Sequence, residues 1–350
     1  QMKLFEDNYE SKSREDDRET AETIQEFYKQ TALRFDINYE NLEQFLYFRL
    51  QLLGKSLEVT RPIQIYWTIT PLLLCYKLQN KPLDEKFANY QKLIEQTLQT
   101  DFTQRAFQHQ HVMNVLGQVL AMRQLNLTLS DEQKEILQSV LVAFAHPCGA
   151  IRSTFQGEFD CRTTYAGIVI LNSLKVFGWG QSVNGRWEFK SKKLNQIAEK
   201  AAEYLVSQCR EGFGQAESHL AYTFCAVAGL RILEKMLNKK FITQQMEENL
   251  VQFIVQRQTE FGGFNGRPNK HVDGCYTYWA VGSLKLLGIQ YLELINKKEL
   301  VKFCINCCQE DDGNGLKDKP GVLPDSYHTC YVLGGLWVLM GGQAEELGIE

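Results

Sequence analysis

The 350-residue sequence contains only seven prolines. It has no apolar run approaching the about 18 residues that a membrane-spanning helix needs. Sparse proline removes the commonest helix breaker, and the missing apolar run excludes a bilayer-crossing helix. Basic excess is missing as well: 38 Lys and Arg face 42 Asp and Glu, for a net charge of −4. Nucleic-acid binding wants a clustered basic face, and this balance gives it no support. Convincing strand alternation is hard to find. The ten cysteines fall at irregular spacings, without the framework of a disulfide-stapled secreted domain. Scattered thiols on a helical chain of this size point to a reducing, cytoplasmic setting. The opening QMKLFEDNYESKSREDD is charged and lacks the apolar stretch of a secretory signal.

What the chain has is helical periodicity and enough apolar residues, 44%, for a substantial core. Residues 1 to 22 are strongly charged and read as a segment ordered only against a partner. Residues 23 to 350 read as a single domain. Stretches such as IYWTITPLLLCYKL and HVMNVLGQVLAM are apolar on most sides and predict helices buried all round. An internal repeat then sets the architecture. RTTYAGIVILNSL from Arg162, YTFCAVAGLRIL from Tyr222, YTYWAVGSLKLL from Tyr276 and HTCYVLGGLWVL from His328 align, with starts 60, 54 and 52 residues apart. A second helix lies between copies, and Gly-rich loops precede three of them. A two-helix repeat without strands is a helical-hairpin array. About six hairpins can close into a double ring whose loops converge on one cavity. Ala226, Ala228, Gly229, Gly282, Gly334 and Gly335 would let the inner helices approach closely.

One stretch concentrates chemistry: FGGFNGRPNKHVDGCYTYW, from Phe261 to Trp279. Asp273 and Cys275 are metal-ligand types, although such a triplet alone is more often an ordinary loop. His328, at the mouth of the next hairpin, adds a third ligand. Oxygen, sulfur and nitrogen ligands from adjacent repeat mouths suit zinc with one open position, the mark of a catalytic site. Cys304, Cys307 and Cys308 offer a rival C-x-x-C, but no second pair follows and they sit in an apolar helical run, as core or surface thiols do. Arg267 and Lys270, with Tyr276 and with His219 ahead of the equivalent Tyr222, would converge at one rim if the ring closes. Arginine offers a fork for phosphate oxygens, lysine a point charge, and a helix N-terminus a favourable field. The inner aromatics Trp67, Tyr165, Phe224, Tyr278, Trp279, Tyr327 and Tyr331 fit either core or cavity wall.

GGFNGRPNKHVDGCYTYW and DSYHTCYVLGGL resemble the central and zinc-histidine motifs of protein prenyltransferase β-subunits, and the resemblance runs from about residue 150 to 340. It implies an all-α fold, an α/α toroid of the kind shared with terpenoid cyclases, working in a heterodimer with a helical-repeat α-subunit. It implies transfer of an isoprenoid from its diphosphate to a cysteine near the C-terminus of a CaaX protein such as a small GTPase. By the same resemblance Asp273, Cys275 and His328 match zinc ligands, and His219, Arg267, Lys270 and Tyr276 match diphosphate-binding groups. Arg162, Tyr165 and Tyr222 match the cavity lining, and Trp67 and Tyr327 match residues touching both isoprenoid and peptide. Asp318, in LKDKPG, matches a farnesyltransferase carboxylate that helps place magnesium, and Tyr331 is farnesyl-like too. Ile63 stands where farnesyltransferases carry a cavity-shortening tryptophan, and Val112 where a second cavity tyrosine is usual. The farnesyl reading therefore has a geranylgeranyltransferase type I rival within the family. A terpene cyclase would need a DxDD acid motif, which the sequence lacks. A silent helical scaffold is the rival from another class.

Overall fold

The computed structural model describes residues 12–30, 33–34, 36–53, 60–104 and 111–342. Helix α1 (Lys12–Gln30) comes first, and the repeats follow as hairpins. These are α2 (Tyr39–Gln51) with α3 (Arg61–Leu78), α4 (Glu85–Gln104) with α5 (Val112–Gln124), and α6 (Asp131–Phe144) with α7 (Cys161–Val176). The second half repeats the plan with α8 (Lys192–Ser207) and α9 (Leu220–Leu237), α10 (Gln244–Val255) and α11 (Tyr276–Leu287), then α12 (Lys297–Asn306) and α13 (Ser326–Leu339).

The odd-numbered helices from α3 to α13 form the inner ring. Each packs on the next, and α13 packs back on α3, so the ring is closed. The even-numbered helices lie outside, each against its hairpin partner. Sequence explains the division. α9 is buried over nearly its whole length, as its LAYTFCAVAGLRIL run demands. α8 instead buries one face, with Leu194, Ile197, Ala198, Ala201 and Leu205 at helical spacing. The predicted close approach is visible at Gly335, where an added Cβ would lie 2.8 Å from the backbone nitrogen of Tyr278. A side chain there would push α13 off α11.

Polar caps fix where the inner helices begin. Asp160 caps α7 by accepting from the amides of Arg162 and Thr163, and Thr163 returns the bond to the Asp160 amide. Asp325 caps α13, and His219 caps α9 through its ring. Such caps are worth about 1 kcal/mol each. They also hold their side chains at the end of the ring where the loops converge.

Two features go beyond the architecture read from the sequence. A two-stranded hairpin, β1 (Gly180–Val183) and β2 (Arg186–Phe189), joins α7 to α8. Its turn is Asn184-Gly185, both at positive φ, the pair that a tight two-residue hairpin favours. Helix α1 runs through the expected boundary at residue 22, with Ile24 fully buried. Its Thr20 hydroxyl lies 2.7 Å from His271 Nδ1 on the 261–275 loop. Residues 1–11, the rest of the charged segment, lie outside the described residues. Among the described residues no helix is long and apolar enough to cross a membrane.

Candidate metal and anion site

Asp273 and Cys275 lie at the start of α11, where Cys275 is the cap residue. Their loop is pinned from both sides. The Asp273 amide donates to the Phe264 carbonyl at 3.1 Å, and the Gly274 amide to the Asp318 carbonyl at 2.7 Å. The Cys275 amide donates to Asp273 Oδ1 at 2.7 Å. His328 sits in the first turn of α13, across the α11–α13 contact. Asp325 holds it twice, accepting from its amide at 2.8 Å and lying 2.7 Å from its Nδ1. That leaves Nε2 facing Asp273 Oδ1 at 3.4 Å.

One ligand atom from each of Asp273, Cys275 and His328 lies within 4.8 Å of the others. Zinc bonds of about 2.0–2.3 Å in a tetrahedron put ligand atoms about 3.3–3.8 Å apart, so the Asp273–His328 edge already has the right length. The donor set is one oxygen, one sulfur and one nitrogen, with the imidazole oriented by an outer carboxylate as metal-bound histidines usually are. These residues fit zinc. Charge points the same way. Burial alone would raise the Asp273 carboxyl, but His328 and the hydrogen bonds from Cys275 together outweigh it and hold the carboxyl below its ordinary value. Burial alone would lower His328, yet Asp273 and Asp325 carry it up to about 10. Burial and then the Asp273 charge push the Cys275 thiol well up, with the Tyr327 hydroxyl opposing them. Such a corner is stabilised by added positive charge, and a divalent cation is the charge that would also ionise the thiol.

Beside this corner lies a rim of donors. His219 Nδ1 accepts the Ala221 amide at 3.2 Å, so a neutral ring carries its proton on Nε2. Burial, and then the charge of Arg162, lower the His219 pKa and favour that neutral ring. Nε2 lies 3.3 Å from the Tyr276 hydroxyl, and burial keeps that phenol protonated by raising its pKa. Glycine is required next to the pair. A Cβ on Gly266 would stand 2.4 Å from Tyr276 Oη and 2.7 Å from His219 Nε2. Arg267 follows, and its guanidinium is ion-paired with Glu217. Arg162 is held by the Asp160 carboxylate at 2.6 Å and lies over the Tyr222 ring, 4.4 Å from its centre.

Corner and rim open into one cavity of about 620 Å³, lined by Trp67, Arg162, Tyr165, His219, Tyr222, Arg267, Asp273, Cys275, Tyr276, Trp279, Tyr327 and Tyr331 among others. Trp279 packs on Tyr331 with ring centres 4.3 Å apart, Tyr331 on Tyr327 at 4.8 Å, and Tyr327 edge-on to Trp67 at 5.1 Å. The Trp67 indole donates to the Tyr331 hydroxyl at 3.2 Å. The aromatics split between the two roles open to them: Phe224 and Tyr278 are core, behind that wall.

Besides His328, which meets the cavity-lining Asp273 without itself lining the cavity, four positions singled out in the sequence do not line it. Lys270 is half-buried on the loop between Arg267 and Asp273. Asp318 accepts from Lys319 at 2.8 and 2.9 Å. Burial raises its carboxyl pKa against the pull of Lys319. Ile63 is buried against α5, where a Cβ on Gly117 would come 2.4 Å from its Cα. Val112 is buried too, and Met113 and Leu116 reach the cavity from α5 instead. Cys304, Cys307 and Cys308 are buried thiols of the core. Glu217 and Asp325 were not picked out from sequence. The signal for Asp325 was its place three residues before His328, where a helix cap belongs.

Helices closed in this double ring, with a three-residue cluster of metal-ligand types and a donor rim at one aromatic cavity, define a toroid with a candidate metal site at its mouth. Residues 37–347 match the family described as "Prenyltransferase alpha-alpha toroid domain", and the chain belongs to that family. It is 28% identical over 292 residues to protein farnesyltransferase subunit beta of Schizosaccharomyces pombe, covering 80% of this chain and 72% of that protein. The subunit of the same name from Pyricularia oryzae is 28% identical over 303 residues, covering 80% of this chain and 58% of that protein. In structure the chain is similar to Candida albicans protein geranylgeranyltransferase-I complexed with GGPP. The TM-score is 0.67 at 18% identity, over 89% of this chain and 93% of the other.

Proposed function

We propose that this chain is the β-subunit of a zinc-dependent protein prenyltransferase. It moves a farnesyl group from farnesyl diphosphate to the thiol of a C-terminal CaaX cysteine, forming a thioether. One observation carries the reading: the Asp273–Cys275–His328 corner, through Asp273 and Cys275, and the His219–Arg267–Tyr276 rim open onto the same aromatic cavity. Asp273, Cys275 and His328 would hold zinc, which would supply a Lewis acid able to keep an incoming cysteine sulfur deprotonated at neutral pH. No general base is then needed from the protein.

The remaining work falls to the chain itself. Trp67, Tyr165, Trp279, Tyr327 and Tyr331 exclude water and take the isoprenoid tail. Their cavity lies within the about 300–1,000 Å³ range of ordinary ligand sites. His219 Nε2–H and the Tyr276 hydroxyl donate to the diphosphate, with Arg267 and Lys270 adding charge. As the C–O bond breaks, negative charge grows on the leaving oxygens, so donors fixed on them stabilise the transition state more than the ground state. Asp318, now paired with Lys319, would be the carboxylate that holds magnesium. A helical-repeat α-subunit completes the enzyme. Its setting is the cytoplasm, and residues 23–350 form its catalytic toroid.

A geranylgeranyl donor is the second reading. Ile63 packs against the Gly117 backbone, so no large side chain at position 63 shortens the cavity. A competition between farnesyl and geranylgeranyl diphosphate, using the reconstituted heterodimer and a CaaX peptide, decides between them. Preference for farnesyl supports the assignment. Preference for geranylgeranyl overturns it.

A further inference from the structure

Two arginines line the cavity mouth, and each is paired with a carboxylate of different standing. Arg162 is held by Asp160, which also caps α7, is 6% exposed and accepts two backbone amides. Releasing that carboxylate would uncap a helix. Arg267 is held by Glu217, which caps nothing; the two side chains are 36% and 52% exposed. Among the residues lining the cavity, Asp273 and Glu217 are the acids, and Asp273 belongs to the metal corner.

The backbone under Glu217 is firmly placed. Next to it, the buried Ser218 accepts the Gly212 amide at 3.2 Å. The His219 amide donates to the Phe213 carbonyl at 2.8 Å. The Phe213 amide in turn donates to the Thr223 hydroxyl at 3.0 Å, tying the loop to α9. The Glu217 side chain extends from this tied loop and carries a carboxylate onto the Arg267 guanidinium, in the cavity that His219 and Tyr276 also line.

We propose that Glu217 is an exchange partner for Arg267. Its carboxylate occupies the guanidinium while the anion subsite is vacant, yields it to the diphosphate on binding, and takes it back as the diphosphate product leaves. This rests on the reading of the rim as a diphosphate site. The physical case is one of competing anions. A half-exposed carboxylate pair is screened by water and weak, whereas a diphosphate offers two oxygens to the fork and higher charge. The exchange therefore runs toward ligand without being free, and Glu217 tunes how tightly the head group is held.

Titration of inorganic diphosphate into the zinc-loaded heterodimer, followed by calorimetry, tests it. Glu217→Gln should bind about threefold to fivefold tighter than wild type, the size of an exposed ion pair removed from competition. Glu217→Ala should show the same gain, and Arg267→Gln should bind more weakly. In the Arg267→Gln background, adding Glu217→Gln should bring no gain, which a merely structural role for Glu217 would not reproduce. Equal affinity of wild type and Glu217→Gln, or the same gain without Arg267, overturns the exchange while leaving the anion site standing. If Arg267→Gln binds as tightly as wild type, the anion-site reading itself falls, and the exchange with it.

Discussion

The metal corner and the anion rim share one cavity but are held in opposite ways. Asp273, Cys275 and His328 are drawn together by fixed partners: a backbone amide on Asp273, and Asp325 on both the amide and ring of His328. The rim contains one rigid pair, His219 and Tyr276, and one replaceable pair, Arg267 with Glu217. In the proposed function a metal would stay in place through every turnover, so its ligands gain from being locked. A diphosphate would have to arrive and leave, so part of its site has to let go. The contrast predicts that damage at the corner abolishes loading, whereas damage at the rim changes rate and affinity with the metal still present.

The largest effect should follow from Cys275→Ala with His328→Ala. Purified protein should lose its zinc by elemental analysis, and prenyl transfer should disappear. Tyr276→Phe comes next. It should keep zinc but slow single turnover by about a hundredfold, the scale of one lost donor on a leaving oxygen. If Tyr276→Phe turned over as fast as wild type, the rim would have no part in leaving-group stabilisation. Asp325→Ala should weaken zinc about tenfold, the effect of removing a histidine's outer partner, measured by competition with a chelator. Unchanged zinc affinity would mean that the corner is not braced as described.

The smallest effect concerns pH. In chelated, metal-free protein, His328 is raised from 6.5 to about 10 by its two carboxylates. A group raised in the folded state stabilises most below its unfolded pKa, and that contribution is lost as pH rises through the folded value. Melting temperatures of the metal-free protein should therefore fall between about pH 6.5 and about pH 10. His328→Gln should flatten the part of that slope due to this residue.

Much of this was legible because function and repeat share one register. Tyr276 and His328 open successive inner helices, so aligning the repeats placed the 261–279 loop beside His328 before any contact was known. The closed ring followed from the same alignment. Other features depend on distances that sequence does not carry. Glu217 and Arg267 are 50 residues apart, and nothing in a repeat pattern pairs a loop acid with a loop base. Ile63 aligned with a cavity position, but its side chain is turned into α5 by the contact with Gly117. The hairpin at Asn184-Gly185 was signalled by its turn, but its strands are too short to show alternation. Helix α1 is strongly charged, and its docking rests on single contacts such as Thr20 with His271 and the buried Ile24.

The central claim is that Cys275 binds a metal as its thiolate beside Asp273 and His328. Replacing the metal with cobalt tests it most directly, because a thiolate bound to cobalt gives a near-ultraviolet charge-transfer band and tetrahedral cobalt absorbs strongly in the visible. The account predicts both features in wild-type protein and loss of the charge-transfer band in Cys275→Ser. A cobalt protein without that band, or one in which Cys275→Ser leaves it intact, would contradict the account.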